Sequence, residues 1–229
     1  MTQQDPARVL FAVAAEGDDE YIWSRLKMLP ELFAAGPVAI RVGFFGAEGT
    51  RSSRPFMVSR WTTNPADLAD LLQKARTRCV CGCFVKVSSI LEQALRETQQ
   101  GPLRAVVIIG DSFYGDFEAA IATAEQLRAA GTRLFLFQQG RSTSTEQAFR
   151  ALAQTTGGGF FQVNPHIEKL AERLPGLLEA VTHFALGGMA ALEARGDEVA
   201  SLLLERMNAS NQMLTKYLKL RTSKRRRRG

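Results

Sequence analysis

Along most of this chain, short continuous apolar runs alternate with longer stretches in which apolar residues recur at helical spacing. Val9 to Val13, Val38 to Phe45, Val106 to Gly110, Arg133 to Gln138 and Phe160 to Val163 read as strands. Between them, Tyr21 to Ala34 carries Ile22, Leu26, Leu29 and Phe33 on one helical face, and Ser88 to Thr98 does the same with Ile90, Leu91, Ala94 and Leu95. Asn64-Pro65 opens a further helix, Asn64 as its N-cap and Pro65 as its first residue, with Leu68, Leu71 and Leu72 facing inward. Phe117 to Ala130, closed by Gly131, and Thr145 to Thr155, followed by the turn Gly157-Gly158-Gly159, complete the alternation. Strands separated by helices of this length imply a parallel sheet with right-handed crossovers. Pro55 to Trp61 is the exception: the loop before it is too short for a helical crossover, so it should pair antiparallel at an edge.

The fold class expected is therefore α/β, a mostly parallel central sheet with one antiparallel edge strand and helices on both faces, plus a C-terminal helical extension. Residues 1–195 form the α/β domain and 196–229 the extension. Ile167 to Ala194 and Glu198 to Leu220 read as two long helices broken near Gly196-Asp197. The second has an apolar face built on Leu202, Leu203, Leu204, Met207, Met213, Leu214, Tyr217 and Leu218, which must pack on its own sheet or on a second copy of the chain.

Chemistry concentrates at one junction. Ala105-Val-Val-Ile-Ile109 is apolar throughout, as a strand buried on both faces should be, and it stops abruptly at Gly110-Asp111-Ser112. Asp111 is thereby expected at the carboxyl edge of the sheet, where open α/β folds bind ligands.

The net charge of +6 narrows the function classes only once it is located. Lys216 to Gly229 holds eight cations and no acid, so 29 − 8 = 21 basic residues face 23 acidic ones in residues 1–215, a net of −2. The run Lys224, Arg225, Arg226, Arg227, Arg228 suits nucleic acid, an anionic membrane surface or an acidic protein equally, or serves as a solvated tail that aids solubility. No signal-peptide pattern or membrane-spanning run is present, and three cysteines do not make a disulfide framework; a cytoplasmic setting is expected.

The order of elements, and the segments Arg8-Val-Leu-Phe-Ala-Val13, Ser89-Ile-Leu-Glu-Gln-Ala-Leu-Arg-Glu97, Val106-Val-Ile-Ile-Gly-Asp111, Leu134-Phe-Leu-Phe-Gln-Gln-Gly-Arg141 and Ala148 to Gly159, resemble the von Willebrand factor A domain, in the texture of small bacterial proteins of that class. The resemblance covers residues 8 to 195 and implies a protein-binding module rather than an enzyme. It also implies a divalent ion, held by an Asp-x-Ser/Thr-x-Ser loop after the first strand, a threonine before the third helix and an aspartate after the fourth strand. Here the first loop reads Ala14-Ala15-Glu16-Gly17-Asp18 and the threonine position falls near Val85; only Asp111 matches. Two arrangements follow. Either the ion site is lost and Asp111 is a surface or capping acid near the Phe117 helix, or Glu16, Asp18 and Asp111 form a rewired cluster for Mg²⁺ or Ca²⁺. Ser112 and Lys86 are the accompanying candidates for partner contact.

Other constellations are weaker. Cys79, Cys81 and Cys83 would share one face of an extended segment, but CxC spacing lacks the fourth ligand of a zinc site, and small buried hydrophobes are the simpler reading. His166 and His183 have no ligand-like spacing. Gly110-Asp111-Ser112 has the composition of a serine-hydrolase block but follows a central strand and lacks an Asp-x-x-His partner, so its hydroxyl has no base to activate it.

Overall fold

The computed structural model describes residues 5–14, 23–24, 26–45, 56–78, 86–163 and 172–226 of the chain. Six strands form one sheet: β1 (Ala7–Ala14), β2 (Val38–Phe45), β3 (Phe56–Val58), β4 (Leu103–Gly110), β5 (Arg133–Gln138) and β6 (Gly159–Gln162). Their spatial order is β3-β2-β1-β4-β5-β6, parallel throughout except that β3 runs antiparallel to β2 at the edge, as its short connection requires. The chain winds outward from the centre in both directions, which puts the topological switch point between β1 and β4.

Helices cover both faces because the central strands are apolar on both. Val9, Phe11, Val13, Val107 and Ile109 point into one core, packed by the 3-10 helix Leu29–Ala35, by Leu68 and Leu72 of α1 (Pro65–Arg78), by α5 (Leu174–Arg195) and by the start of α6 (Glu198–Arg226). Leu10, Ala12, Val106 and Ile108 point into the other, under α2 (Val87–Gln100), α3 (Phe117–Ala129) and α4 (Thr143–Thr156). Alternation with period two along a strand sorts the residues between these cores. Burying each of the larger aliphatic side chains stabilises the fold by roughly 1.5–3 kcal/mol.

Most predicted elements appear with boundaries shifted by a residue or two, and Asn64 does cap α1, its Oδ1 accepting from the Ala66 N–H at 2.8 Å. Three local expectations need correction. The helix expected to run continuously to Ala34 instead breaks at Lys27-Met28 and resumes as the 3-10 helix, because Pro30 has no N–H for the Leu26 carbonyl and its ring would crowd that oxygen. Helix α4 begins two residues earlier than expected, at Thr143, because Ser142 is its N-cap. Leu71 is only half-buried; Ala75, one turn further along α1, takes the inward position.

The triple glycine is accounted for by position. Gly157 ends α4 in the left-handed region at φ 69°, and the Gly158 N–H closes the helix on the Ala153 carbonyl at 2.9 Å. A Cβ on Gly158 would sit 1.9 Å from the Leu134 carbonyl oxygen, so close approach to β5 requires glycine there.

Helix α6 starts on its own domain. Ala200, Leu203 and Met207 lie in the first core, and the break from α5 is made by Gly196 in the left-handed region at φ 64°. Arg195 bridges Glu179 at 2.9 Å and also pairs with Asp197, whose Oδ1 accepts from the Ala200 N–H at 2.7 Å. Among the described residues no helix is long and apolar enough to cross a membrane.

Candidate functional site

At the switch point, the last residues of β1 and β4 lie side by side, Ala14 opposite Gly110, and Asp111 follows directly. Asp111 is exposed at the carboxyl edge of the sheet, the place its sequence context predicts. The loop it opens is fastened on three sides. The Gln139 N–H donates to the Gly110 carbonyl at 2.8 Å, and the Phe113 N–H donates to Thr145 Oγ1 at 3.1 Å, which ties the loop to the first turn of α4. Lys86, at the start of α2, forms a single parallel bridge with Tyr114. Buried Gln138 braces the far side by donating from Nε2 to the Ser142 carbonyl at 2.9 Å.

Asp111 is not the helix cap. That role belongs to Asp116, whose Oδ1 accepts from the Glu118 and Ala119 N–H groups at 2.9 and 3.1 Å. The reason is register: an N-cap must immediately precede the first helical residue, and α3 starts at Phe117. Asp111 makes no hydrogen bond or ion pair with another described residue.

Two aromatic side chains that the sequence reading did not single out follow it. Tyr114 is 49% exposed and Phe117 43%, unusually open for residues of their size, and Phe113 packs edge-on beneath Phe117 at 6.1 Å. The available signal was three aromatics within five residues in a segment with no helical or strand periodicity. Ser112, Lys86 and Asp111 are thus brought to one edge together with this aromatic pair, Lys86 exposed and Ser112 half-buried.

Glu16 and Asp18 lie outside the described residues, as do Val85, Cys79, Cys81, Cys83 and His166. Among the described residues no three His, Cys, Asp or Glu side chains are grouped to hold an ion. Mg²⁺ requires six oxygens and Ca²⁺ six to eight; the described edge carries the Asp111 carboxylate, the Ser112 hydroxyl and, opposite Gly110, the buried Gln138 with an unpaired Oε1, while β1 ends on an alanine. The remainder of the first loop and the Val85 position, which the family's ion would also use, lie outside the described residues. His183 sits on α5 beside Glu179, 3.8 Å away, and Ser112 makes no hydrogen bond with a described residue that would act as its base.

The sequence reading also missed a buried ionic cluster at the opposite, amino edge. Glu97 of α2 is fully buried and pairs with Arg8 of β1 at 2.6 Å, with Arg41 of β2, with Gln93, and with the Trp61 indole N–H at 3.1 Å. The Arg8 guanidinium lies 4.2 Å from the Trp61 ring centroid. Burial lowers the Arg8 pKa and the Arg41 charge adds to that, with Glu97 opposing both. A cleft of about 540 Å³ opens at the same edge between Pro6, Phe33, Pro37 and Thr63, away from the Asp111 loop.

No protein-family model and no curated protein matches this chain by sequence. Solved structures do match by fold. A von Willebrand factor type A protein from Catenulispora acidiphila aligns with a TM-score of 0.54 at 10% identity, over 80% of this chain and 43% of that one. The SpRpn10 VWA domain aligns at 0.53 and 12% identity, over 74% and 93%. The manganese-loaded TRAP protein of Plasmodium vivax aligns at 0.51 and 12% identity, over 73% and 72%. The fold is therefore that of the von Willebrand factor A domain. The chain spans less than half of the Catenulispora protein.

Proposed function

We propose that this chain is a non-enzymatic protein-interaction module that receives its partner on the carboxyl edge of the sheet, with the family's ion site altered. The observation that carries the reading is the exposure of Tyr114 and Phe117, on the segment that Asp111 opens at the switch point. Large aromatics held on a braced loop are the side chains that supply most binding energy at protein interfaces, since they exclude water from a broad area and lose little rotamer freedom. Asp111, Asp116 and Glu118 are exposed around them and Lys86 stands across the bridge, a polar rim of the kind that sets orientation. The VWA-like fold supports the class of function, and Ala14 at the end of β1 supports the altered ion site.

The test compares capture of host proteins by the intact chain and by a Tyr114→Ala/Phe117→Ala variant, quantified by mass spectrometry. Both side chains are open to water, so the melting temperature should stay within a degree or two while the specific partner is lost by tenfold or more. Unchanged capture by a folded variant would move the interface elsewhere. Labelling of Ser112 by an active-serine probe would overturn the non-enzymatic reading.

A further inference from the structure

Helix α6 changes character along its length in a way the interaction module does not use. Its backbone is continuous from Glu198 to Arg226. The seam by which it packs on the domain runs through Leu203, Met207 and Ser210, all buried. Continued at steps of three and four residues, the same seam passes Leu214 and Tyr217 and then reaches Arg221 and Lys224. Cations thus occupy the positions that apolar residues hold one and two turns earlier. No residue after Leu220 is apolar and none after Glu205 is acidic, while Lys216, Lys219, Arg221, Lys224, Arg225 and Arg226 all fall within the helix. From Ser210 to Arg226 the axis advances about 24 Å, and the cationic part alone covers about 15 Å.

We propose that the C-terminal half of α6 is a rigid cationic rod that binds duplex DNA through its phosphate backbone. Three features select this occupant. A helix that lies on a membrane needs an apolar face to bury along its length, and here the apolar positions end at Leu220 while the cations continue to Arg226. Each strand of duplex DNA offers one negative charge per roughly 3.4 Å of axis, close to the spacing of about 3–4.5 Å between cations that come every two or three helical residues without an intervening acid. Its major groove, about 12 Å wide, admits a helix, so a preformed rod anchored on a folded domain enters without the ordering cost of a flexible tail. With contacts to phosphate only, binding is independent of base sequence and strongly dependent on salt.

Fluorescence anisotropy of the full chain with a 30-base-pair duplex of mixed sequence, between 50 and 200 mM salt, tests this. About six phosphate contacts predict a slope of log K against log salt near −5, roughly a thousandfold loss of affinity across that range. The variant Arg221→Gln/Lys224→Gln/Arg225→Gln/Arg226→Gln should bind far more weakly and reduce the slope by about 3 to 4, with the melting temperature of the domain unchanged. Thr222→Pro keeps every charge but interrupts the rod, and should weaken binding several-fold. Absence of duplex binding by the intact chain at 50 mM salt would overturn the proposal. So would a salt slope unaltered in the fourfold variant, wild-type affinity in Thr222→Pro, or retention by vesicles of anionic phospholipid without retention by the duplex.

Discussion

The fully buried carboxylate of Glu97 meets the guanidinium of Arg8 at 2.6 Å, joining the last turns of α2 to the first residues of β1 across 89 positions of sequence. Arg41, Gln93 and Trp61 complete the shell, so one acid gathers α2, two neighbouring strands and the segment after β3. A single buried charge with this many donors is stable in place and costly to disturb, because removing it leaves two cations in a medium that solvates them poorly.

Glu97→Gln should therefore lower stability by about 3–5 kcal/mol, read from the urea midpoint at constant m-value. Arg60→Ala is the internal control. It breaks the Arg60–Asp67 pair, whose side chains are 70% and 41% exposed, and should cost about 0–1 kcal/mol. Equal midpoints for the two variants would show that the cluster is not a structural anchor.

Asp197 makes the junction of α5 and α6 sensitive to acid. Burial alone would raise its pKa, but hydrogen bonds from the Ala200 and Val199 N–H groups and from Arg195 outweigh it and hold the carboxyl below its ordinary value. A carboxyl with a depressed folded pKa contributes stability that is fully present above the unfolded value, about 3.9, and disappears as pH falls through the folded one. Asp197→Ala should cost about 1 kcal/mol at neutral pH, much of it from the lost cap, and the gap to wild type should narrow below about pH 4. Paired denaturant titrations at pH 7 and pH 3 check this; a gap of the same size at both would remove the ionic part of the argument.

Gly158→Ala should destabilise the domain by about 3 kcal/mol, since the new methyl meets a β5 carbonyl that cannot withdraw without breaking the sheet. Gly131→Ala, where a Cβ would enter open space at φ 83°, should show only backbone strain of about 1–2 kcal/mol. The two melting curves, run side by side, separate crowding from conformation.

Calorimetric titration with Mg²⁺ or Ca²⁺ should give no saturable heat for the wild-type chain, and none for Asp111→Ala, because Ala14 and Gly110 bring no side-chain oxygen to the edge at which Asp111 stands. Saturable heat in the wild type that vanishes in Asp111→Ala would show that Glu16 and Asp18 join it in a rewired site.

Much of the architecture was legible in the chain because it is encoded locally. The unbroken aliphatic run before Asp111 specified a strand buried on both faces, the helical spacings between strands forced parallel pairing, and the short loop before Pro55 forced β3 to turn back. The position of Asp111 at the carboxyl edge follows from those facts alone. What stayed hidden depended on which residues meet across distance. Glu97 continues the buried stripe of Val87, Ile90 and Ala94 at the next helical step, and the sequence marks it only as an acid in an apolar position; the arginines and the tryptophan that make burial tolerable come from three other segments. The exposure of Tyr114 and Phe117 likewise depended on how the loop is fastened to Thr145 and Lys86, and the choice of Asp116 over Asp111 as the cap depended on where α3 begins. By itself, then, the sequence determined the layers, the strand directions and the charge carried by the last turns of α6, since periodicity and composition act within a few residues. Tertiary structure alone decided which acid is buried with cations, which aromatics face water and which carboxylate caps α3, because burial and pairing are properties of residues brought together from distant parts of the chain.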